Sequence, residues 1–427
     1  MTDTTAGAVE SEESLIGSDG RLNRGWLVVT FSVMAMIIGP PPVLILGFGL
    51  FVPQFHGEFG WGIEQISFGA TLISGMLVLI APLQGYLTDR LGCRTMILAS
   101  IPLFGAGVFA MQFLGPNIGW FYLASILVPL AGIGLWPLTY MKMTSTWFDR
   151  RLGLALGTLN LGNGLGGAIM PLFLGLMFAA YGWRAAYLAL GLLNLFVAWP
   201  LAALMLRERQ VPAGAPITHD IVDAEFGLTF GEAIRTRAFA FLAIGFAVIG
   251  MLSTGFLVHQ FSILREAGLS ATTATALQAL VGLASIVGQL GIGWCMDRVA
   301  AGRVVAAMLA AIALAASIFA YGVTAAIAPV CVILIGFMIG AEMNILGFMT
   351  KRYFGERAFG KLYGIAFACF SAGGAGGAQL FAFSRSHLGS YAPGLIATAA
   401  LSLAAAGLFL FLPRYRYGAG NSSLVAH

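Results

Sequence analysis

The chain has 427 residues, of which 59% are hydrophobic and only 9% are charged, and its mean hydropathy is +0.89. A soluble globular protein carries about 25% charged residues, so this chain has too few polar groups to cover its own surface in water. The formal net charge of +4 is spread along the sequence without a basic patch, which excludes nucleic-acid binding. The composition indicates a protein of the lipid bilayer.

Residues 1–23 form a polar, acidic segment. A secretory signal peptide would instead begin with basic residues and continue with an apolar stretch. We therefore predict that this segment is a cytoplasmic N-terminal tail, and its polar composition predicts that the tail is disordered.

Twelve apolar runs follow, each long enough to cross a bilayer as a helix of about 20 residues. They lie at 26–50, 64–88, 95–114, 119–143, 153–178, 184–206, 237–263, 272–296, 303–322, 326–349, 362–384 and 391–412. The long polar connection at 207–236 divides them into six and six. We therefore predict an N-terminal six-helix bundle at 24–206, a cytoplasmic central loop, a C-terminal six-helix bundle at 237–413 and a cytoplasmic C-terminal tail at 414–427.

The basic residues predict the orientation of the chain. With both termini in the cytoplasm, only Arg184, Arg265 and Arg385 of the 22 lysine and arginine residues fall on the outer side. Cytoplasmic loops of membrane proteins carry the excess of basic residues. The sequence therefore predicts a multi-pass protein of the plasma (inner) membrane with both termini inside.

A charged segment with the sequence G-Y-L-T-D-R-L-G-C-R joins the second and third runs. A glycine lets two helices approach closely, and the charges mark the point where the apolar run ends. About half a chain later, G-I-G-W-C-M-D-R-V repeats the pattern. The residues concerned are Gly85, Asp89, Arg90 and Arg94 in the first copy and Gly293, Asp297 and Arg298 in the second.

Two further matches support an internal duplication. G-L-F-V-P-Q-F at 49–55 matches G-F-L-V-H-Q-F at 255–261, and W-F-D-R-R at 147–151 matches Y-F-G-E-R at 353–357, both at an offset of 206 residues. Parallel repeats of six helices imply two bundles related by a pseudo-two-fold axis along the membrane normal, with a cavity between them.

With these motifs the chain resembles the major facilitator superfamily over residues 24–416. Within it, R-G-W at 24–26, E-F-G-W at 58–61 and G-A-E-M-N at 340–344 are similar to the monocarboxylate-transporter-like branch, which includes bacterial relatives of the oxalate:formate antiporter. The resemblance implies an all-α membrane fold of 12 transmembrane helices, alternating access and a monomer as the functional unit. It also implies that charged residues close the cytoplasmic side; the expected gating residues are Gly85, Asp89, Arg90, Arg94, Arg150, Arg151, Asp297 and Arg298.

One departure from that branch concerns the substrate. Its members that prefer small carboxylates often carry an arginine in the eighth helix, where this chain offers Ser285 and Gln289. The middle of the eleventh predicted helix contains no basic residue either. The sequence therefore shows no anion site built on a buried cation.

Glu342 is the one acidic residue well inside a predicted span. A charge at bilayer depth costs about 2.5–3.5 kcal/mol on insertion scales, so such residues are usually functional. We predict that Glu342 exchanges protons, with Asn344 as a neighbouring donor or acceptor; the alternative is a protonated carboxyl group bonded between helices. Because the repeat aligns Trp136 with Glu342, we expect these two side chains to face each other across the cavity.

Three other polar residues of the spans each allow two interpretations. His259 suits a proton relay because histidine titrates near physiological pH, but it equally suits an interhelical hydrogen bond. Lys142 either attracts a substrate carboxylate or anchors its helix at the membrane surface. Asn160 either lines the cavity or serves helix packing.

We therefore predict a proton-coupled symporter of a small organic acid of the monocarboxylate type, with that acid, protons and the bilayer as partners. The alternatives are a proton-driven exporter of hydrophobic or aromatic compounds, which the missing cation would suit, and a non-transporting membrane sensor. The sequence contains no nucleophile–base pair, and its four cysteines lack metal-ligand spacing. We therefore predict no enzymatic activity, no cofactor and no metal.

Overall fold

The computed structural model describes residues 23–206 and 227–413, together with Tyr415 and Tyr417. Almost all of the two predicted tails and most of the predicted central loop lie outside the described residues.

The described chain is helical almost throughout. Its first part contains α1 Arg24–Ile37, α2 Phe48–Phe59, α3 Ile63–Leu91, α4 Cys93–Ala110, α5 Ile118–Ala131, α6 Pro137–Ser145, α7 Leu152–Leu193 and α8 Trp199–Met205. Its second part contains α9 Phe230–Ile234, α10 Arg237–Glu266, α11 Ala271–Met296, α12 Ala301–Tyr321, α13 Ala328–Phe354, α14 Phe359–Leu388 and α15 Ala392–Leu410. Within these residues, β structure is limited to one bridge between Gly227 and Gly355.

The first predicted span is interrupted by its three consecutive prolines. α1 ends at Ile37, a π-helix covers Pro41–Leu46, and α2 then continues to Phe59. Proline has no backbone N–H and cannot continue the i→i−4 hydrogen bonds of an α-helix, which explains the interruption. The first run was predicted to end at residue 50. In the structure the chain forms another α-helix after the prolines, and this helix continues to Phe59.

The described helices account for twelve membrane spans. Ten helical segments are long and apolar enough to cross a bilayer, and the longest of them, Leu152–Met205, contains a break at Gly182. The φ of Gly182 is 81°, a left-handed conformation that glycine adopts without strain, so this segment holds two spans. The remaining span is the shorter apolar helix α5, which is followed by a 3₁₀ turn at Ile133–Leu135 and by α6.

The described chain divides into two compact units. One comprises residues 23–149 and 158–206, and the other comprises residues 150–157 and 227–413 with Tyr415 and Tyr417. In the second unit α10 packs on α14, α11 on α13 and α12 on α15. In the first, α3 packs on α5, α4 packs along the end of the α7–α8 segment, and Gly162 of α7 lies against Val33 of α1. The spans of the two units are thus paired in the same order along the chain.

Large apolar side chains cover the outer surfaces of the helices. Leu172, Leu176 and Leu204 are 70–74% exposed. Removal of such side chains from water is favourable. A lipid bilayer around the helices would keep these exposed side chains away from water. The exposure therefore agrees with a membrane protein.

Close packing of α10 on α14 depends on glycine. A Cβ atom at Gly377 would overlap the carbonyl oxygen of Met251, and one at Gly373 would overlap that of Ala247. Small residues let membrane helices approach closely enough for extensive van der Waals contact.

Candidate functional site

Glu342 lies in the middle of α13, far from the basic residues Lys351 and Arg352 at the C-terminal end of that helix. Its Oε2 atom is buried and has no hydrogen-bond partner among the described residues. A buried polar group without a partner is unfavourable, so its presence at this depth calls for a functional explanation.

Two other helices of the second unit, α10 and α14, carry buried hydroxyl groups within the membrane region. Ser253 Oγ of α10, like Glu342 Oε2, is buried and has no hydrogen-bond partner within the described chain. The Tyr363 hydroxyl of α14 lies 3.6 Å from Sδ of Met343, the residue that follows Glu342 in α13.

Asn344 connects α13 to α11. Its Nδ2 donates to the backbone oxygen of Gln289 at 2.9 Å, and its side chain is fully buried. The Oε1 atom of Gln289 is buried without a partner among the described residues. Ser285, one turn earlier, donates to Gly282 O at 2.7 Å within its own helix. Ser285 and Gln289 stand where members of the branch often carry an arginine. Of these two, Gln289 is the one with a side-chain oxygen that has no hydrogen bond within the described chain.

His259 joins three helices of the second unit. Its Nε2 lies 3.0 Å from the carbonyl oxygen of Ala378 in α14, and its Nδ1 lies 3.3 Å from the hydroxyl of Tyr391, just before α15. A carbonyl oxygen only accepts hydrogen bonds, so Nε2 carries a proton and donates it to Ala378, while Nδ1 shares a hydrogen bond with the Tyr391 hydroxyl. No contact connects His259 with Glu342 in the part of the chain that the structure describes. The geometry matches the interhelical hydrogen bond that the sequence allowed.

Trp136 and Asn160 belong to the first unit. Trp136 is buried between the 3₁₀ turn and α6; its Nε1 donates to Pro129 O at 3.3 Å, and its carbonyl oxygen accepts from Gln84 at 3.1 Å. Asn160 is buried in α7 and makes contacts of its own. The expected position of Trp136 opposite Glu342 stays a prediction.

Lys142 binds a carboxylate of the protein. Its Nζ lies 2.6 Å from Oδ1 of Asp89, and the two side chains are 14% and 7% exposed. Arg94, at the start of α4, donates to Leu206 O at 2.9 Å and to Ala203 O at 3.2 Å. A basic side chain at a helix C-terminus satisfies carbonyl groups that have no partner within the helix. The first charged segment therefore joins α3 to α6 and α4 to the end of α8.

The remaining residues of that segment have local positions. Gly85 is buried in α3, and the exposed Arg90 donates to the Tyr86 hydroxyl at 3.1 Å.

Asp297, the counterpart of Asp89, has a different partner. Its two carboxylate oxygens accept from the backbone N–H groups of Gly153 at 2.7 Å and Leu154 at 3.0 Å, in the first turn of α7. Negative charge at a helix N-terminus is stabilised by unpaired N–H groups and by the helix dipole. The guanidinium of the adjacent Arg298 lies 3.8 Å from the Trp294 ring, and Arg150 and Arg151 are exposed just before α7.

A group of charged and aromatic residues near the end of α2 was not predicted. Glu58 accepts from Trp183 Nε1 at 2.6 Å and forms an ion pair with Arg184, whose guanidinium lies 4.3 Å from the Trp183 ring. Arg184 also donates to Gln112 O and Leu114 O. In the sequence, Glu58 and Arg184 are 126 residues apart, so no local pattern indicates this pairing. The described residues contain no group of acidic, histidine or cysteine side chains that could hold a metal ion.

The model of the Major Facilitator Superfamily matches residues 25–378 of the chain. The chain belongs to this superfamily. Monocarboxylate transporter 13 of Rattus norvegicus is 24% identical over 405 residues, which cover 92% of this chain and 89% of the relative. The fujikurins efflux protein of Gibberella fujikuroi is 29% identical over 227 residues, or 51% of this chain and 45% of the relative. The crystal structure of the E. coli fucose:proton symporter superposes with a TM-score of 0.63 at 16% identity, covering 92% of this chain and 98% of the other.

Membership in the Major Facilitator Superfamily confirms the all-α fold with 12 transmembrane helices. It identifies the chain as a multi-pass membrane transporter and not an enzyme. The similarity to monocarboxylate transporter 13 along nearly the whole chain agrees with the branch that the sequence motifs indicated.

Proposed function

We propose that this superfamily member is a proton-coupled secondary transporter of a small organic acid, working by alternating access, in which Glu342 carries the proton. The observation that supports this most strongly is the buried, unpaired Oε2 of Glu342 in the middle of a membrane helix. Ionisable residues at such depth commonly serve proton and substrate pathways.

The charge balance of the spans supports symport with a proton. The basic residues of the described second-unit spans lie toward their ends, such as Arg265 in α10, Lys351 in α13 and Arg385 in α14. An organic anion without a nearby cation crosses a low-dielectric region only at a large electrostatic cost. A proton carried together with the anion cancels its charge and so removes this cost. A carboxyl group that exchanges protons can supply that proton. The name of the relative that aligns along nearly the whole chain, monocarboxylate transporter 13, supports the same substrate class.

The second candidate function is the proton-driven export of hydrophobic or aromatic compounds. The lack of a cation in the middle of the described second-unit spans favours it, because an uncharged substrate needs none. The similarity of half of the chain to an efflux protein also supports this possibility. A non-transporting sensor has no specific observation in its favour.

The other site residues receive supporting roles in this proposal. We assign His259 to a second proton site or to an interhelical tie, and Asn344, Trp136, Asn160, Ser285, Gln289 and Lys142 to the substrate cavity or its support. The gating residues are Gly85, Asp89, Arg90, Arg94, Arg150, Arg151, Asp297 and Arg298. The proposed functional unit is a monomer in the plasma (inner) membrane with both termini in the cytoplasm.

Uptake by proteoliposomes tests the substrate class. Purified protein is reconstituted, and a panel of labelled mono- and dicarboxylates is offered with and without an inward proton gradient, with protein-free liposomes as the control. The proposal predicts accumulation of at least one acid that collapses when a protonophore removes the gradient. Lack of uptake across the panel by folded protein would contradict organic-acid transport, and proton-driven movement of an aromatic dye in the same vesicles would support the exporter.

A further inference from the structure

The two charged segments of the repeat each expose an arginine beside an aromatic residue. Arg90 of α3 is exposed and donates to the Tyr86 hydroxyl at 3.1 Å. Arg298, which follows α11, is also exposed; its guanidinium lies 3.8 Å from the centre of the Trp294 ring and donates to Trp294 O at 3.2 Å. In both units the arginine thus contacts the aromatic residue four positions earlier.

These two pairs occupy corresponding positions of the internal repeat. The offset of 208 residues that relates Asp89 to Asp297 also relates the two aromatic residues and the two arginines. Each aspartate binds another group of the protein, whereas neither arginine forms an ion pair among the described residues. The arrangement is therefore a feature of both halves of the chain and not of one loop alone.

Each aromatic residue ends a row of exposed apolar side chains. The rows follow helical spacing and consist of Leu79, Leu83 and Tyr86 on α3, and of Leu283, Val287 and Trp294 on α11. The opposite faces of the two helices pack within their own units, since Gln84 donates to Thr139 of α6 at 2.8 Å. On α11, a Cβ atom at Gly288 would overlap Phe337 of α13. In a membrane protein the exposed rows therefore contact the lipid tails.

The depth of the two arginines in the bilayer follows from these rows. Tryptophan and tyrosine concentrate at the membrane–water interface, so Tyr86 and Trp294 mark the level at which the acyl chains end. An arginine one helical turn further reaches the headgroups with its long side chain. A guanidinium group has five N–H donors and binds phosphate oxygens in pairs, and each arginine directs one donor to its aromatic partner. The other donors match a lipid phosphate in geometry and in charge.

We propose that each arginine and its aromatic partner bind the headgroup of an anionic phospholipid, at one site in each unit. The acyl chains lie along the apolar row, and the phosphate group binds the guanidinium. The predicted orientation of the chain assigns both sites to the cytoplasmic leaflet, whose anionic lipids attract basic residues at the membrane surface. This role adds to the gating role assigned to the two arginines and does not depend on the transported substrate.

Native mass spectrometry of the purified full-length protein in detergent tests these sites. The protein is titrated with phosphatidylglycerol and, separately, with zwitterionic phosphatidylethanolamine that carries the same acyl chains. We expect the wild type to bind two phosphatidylglycerol molecules more tightly than phosphatidylethanolamine. Arg90→Gln and Arg298→Gln should each weaken one of the two by roughly fivefold, the effect of one basic residue at a charged membrane surface. The double variant should weaken both.

Two further variants sharpen the test. The matched control is Arg357→Gln, which removes an exposed arginine whose aromatic residue four positions earlier, Tyr353, is buried; it should keep both sites. Trp294→Leu keeps an apolar side chain but removes the ring against which Arg298 lies, so it should weaken the site of the second unit alone. Because the three arginines are exposed, the glutamine variants should melt at the temperature of the wild type in detergent.

The outcomes either support or overturn the inference. Equal affinity for phosphatidylglycerol in the wild type, the double variant and Arg357→Gln overturns it. Equal affinity of the wild type for the two lipids also overturns it, because the charge of the headgroup would then play no part. Displacement of phosphatidylglycerol by inorganic phosphate would assign the sites to the free anion and contradict lipid binding.

Discussion

Lys142 Nζ lies 2.6 Å from Asp89 Oδ1, and both side chains are largely buried. The pair joins α6 to the charged end of α3 within the first unit. The lysine that the sequence offered for a substrate carboxylate is thus neutralised by a carboxylate of the protein. This arrangement favours a role in holding the unit together over direct binding of an organic acid.

Removal of Lys142 should therefore reduce stability first. We expect Lys142→Met to lower the free energy of unfolding by about 1–3 kcal/mol, because it removes the ammonium group that neutralises the largely buried charge of Asp89. Adding Asp89→Asn should restore most of the loss, since the uncompensated charge is then removed. Thermal unfolding in detergent of the wild type, both single variants and the double variant measures the coupling. Additive effects, with uptake abolished in a fully stable Lys142→Met protein, would indicate substrate binding instead.

The contacts of Glu58 with Arg184 and Trp183 should make the protein less stable in acid than at neutral pH. Burial alone would raise the pKa of this carboxyl group, but hydrogen bonds from Arg184 and Trp183 and the charge of Arg184 outweigh it and lower the pKa below its ordinary value of 4.5. The folded state therefore binds this proton more weakly than the unfolded state does. The stability that results is present at pH values above the ordinary pKa of the carboxyl group and is lost as the pH falls through the lowered pKa.

Thermal unfolding of the wild type and Glu58→Gln between neutral pH and the acid range measures this contribution. The variant should be less stable than the wild type at neutral pH, and the difference should shrink in acid. The expected difference in stability is small because the Glu58 and Arg184 side chains are 39% and 44% exposed, and exposed ion pairs contribute little. Glu64→Gln, at the exposed start of α3, is the control. A difference that does not vary with pH would refute the assignment to Glu58.

The adjacent residues Gly376 and Gly377 should respond very differently to alanine. A Cβ atom at Gly377 would overlap Met251 O of α10, whereas one at Gly376 would lie 3.9 Å from the flexible end of the Met251 side chain. We expect Gly377→Ala to destabilise the second unit by about 1–3 kcal/mol through overpacking. Gly376→Ala should be neutral or slightly stabilising because alanine favours a helix. Equal melting temperatures of the two variants would contradict the close packing of α10 on α14.

Much of the fold follows from the sequence because the physical signal is local. An apolar run of about 20 residues needs only its own length to indicate a span, and the interruption at Pro40–Pro42 follows from the missing N–H groups of proline. The 3₁₀ turn at Ile133–Leu135 was not predicted. It lies between Pro129 and Pro137, in a run whose hydropathy alone gives no indication of a break.

Asp297 should stabilise the first turn of α7. Asp297→Asn removes the charge that faces the N–H groups of Gly153 and Leu154, and the expected cost is about 0.5–2 kcal/mol. Hydrogen exchange followed by mass spectrometry should show faster exchange in peptides that contain these two residues. Glu356→Gln, which breaks the ion pair with Lys351, serves as a control for the loss of one negative charge. Unchanged protection of the α7 peptides would show that the contact contributes little.

The partners within the site were less predictable than its central residue. The position of Glu342 within an apolar run indicates its depth directly. The contact of Tyr363 with Met343 depends on how α14 is rotated against α13, and that rotation is set by packing between residues far apart in the chain. The same holds for Lys142 and Asp89, which lie 53 positions apart.

The most direct test of the central claim is gradient-driven uptake by Glu342→Gln in proteoliposomes, with the acid identified for the wild type. We expect the variant to lose accumulation driven by an inward proton gradient while it still exchanges labelled for unlabelled acid across the membrane. The exchange shows that the variant is folded and binds substrate, so the loss is one of proton coupling. Accumulation equal to that of the wild type, collapsing with the gradient in the same way, would contradict the role of Glu342 as the proton carrier.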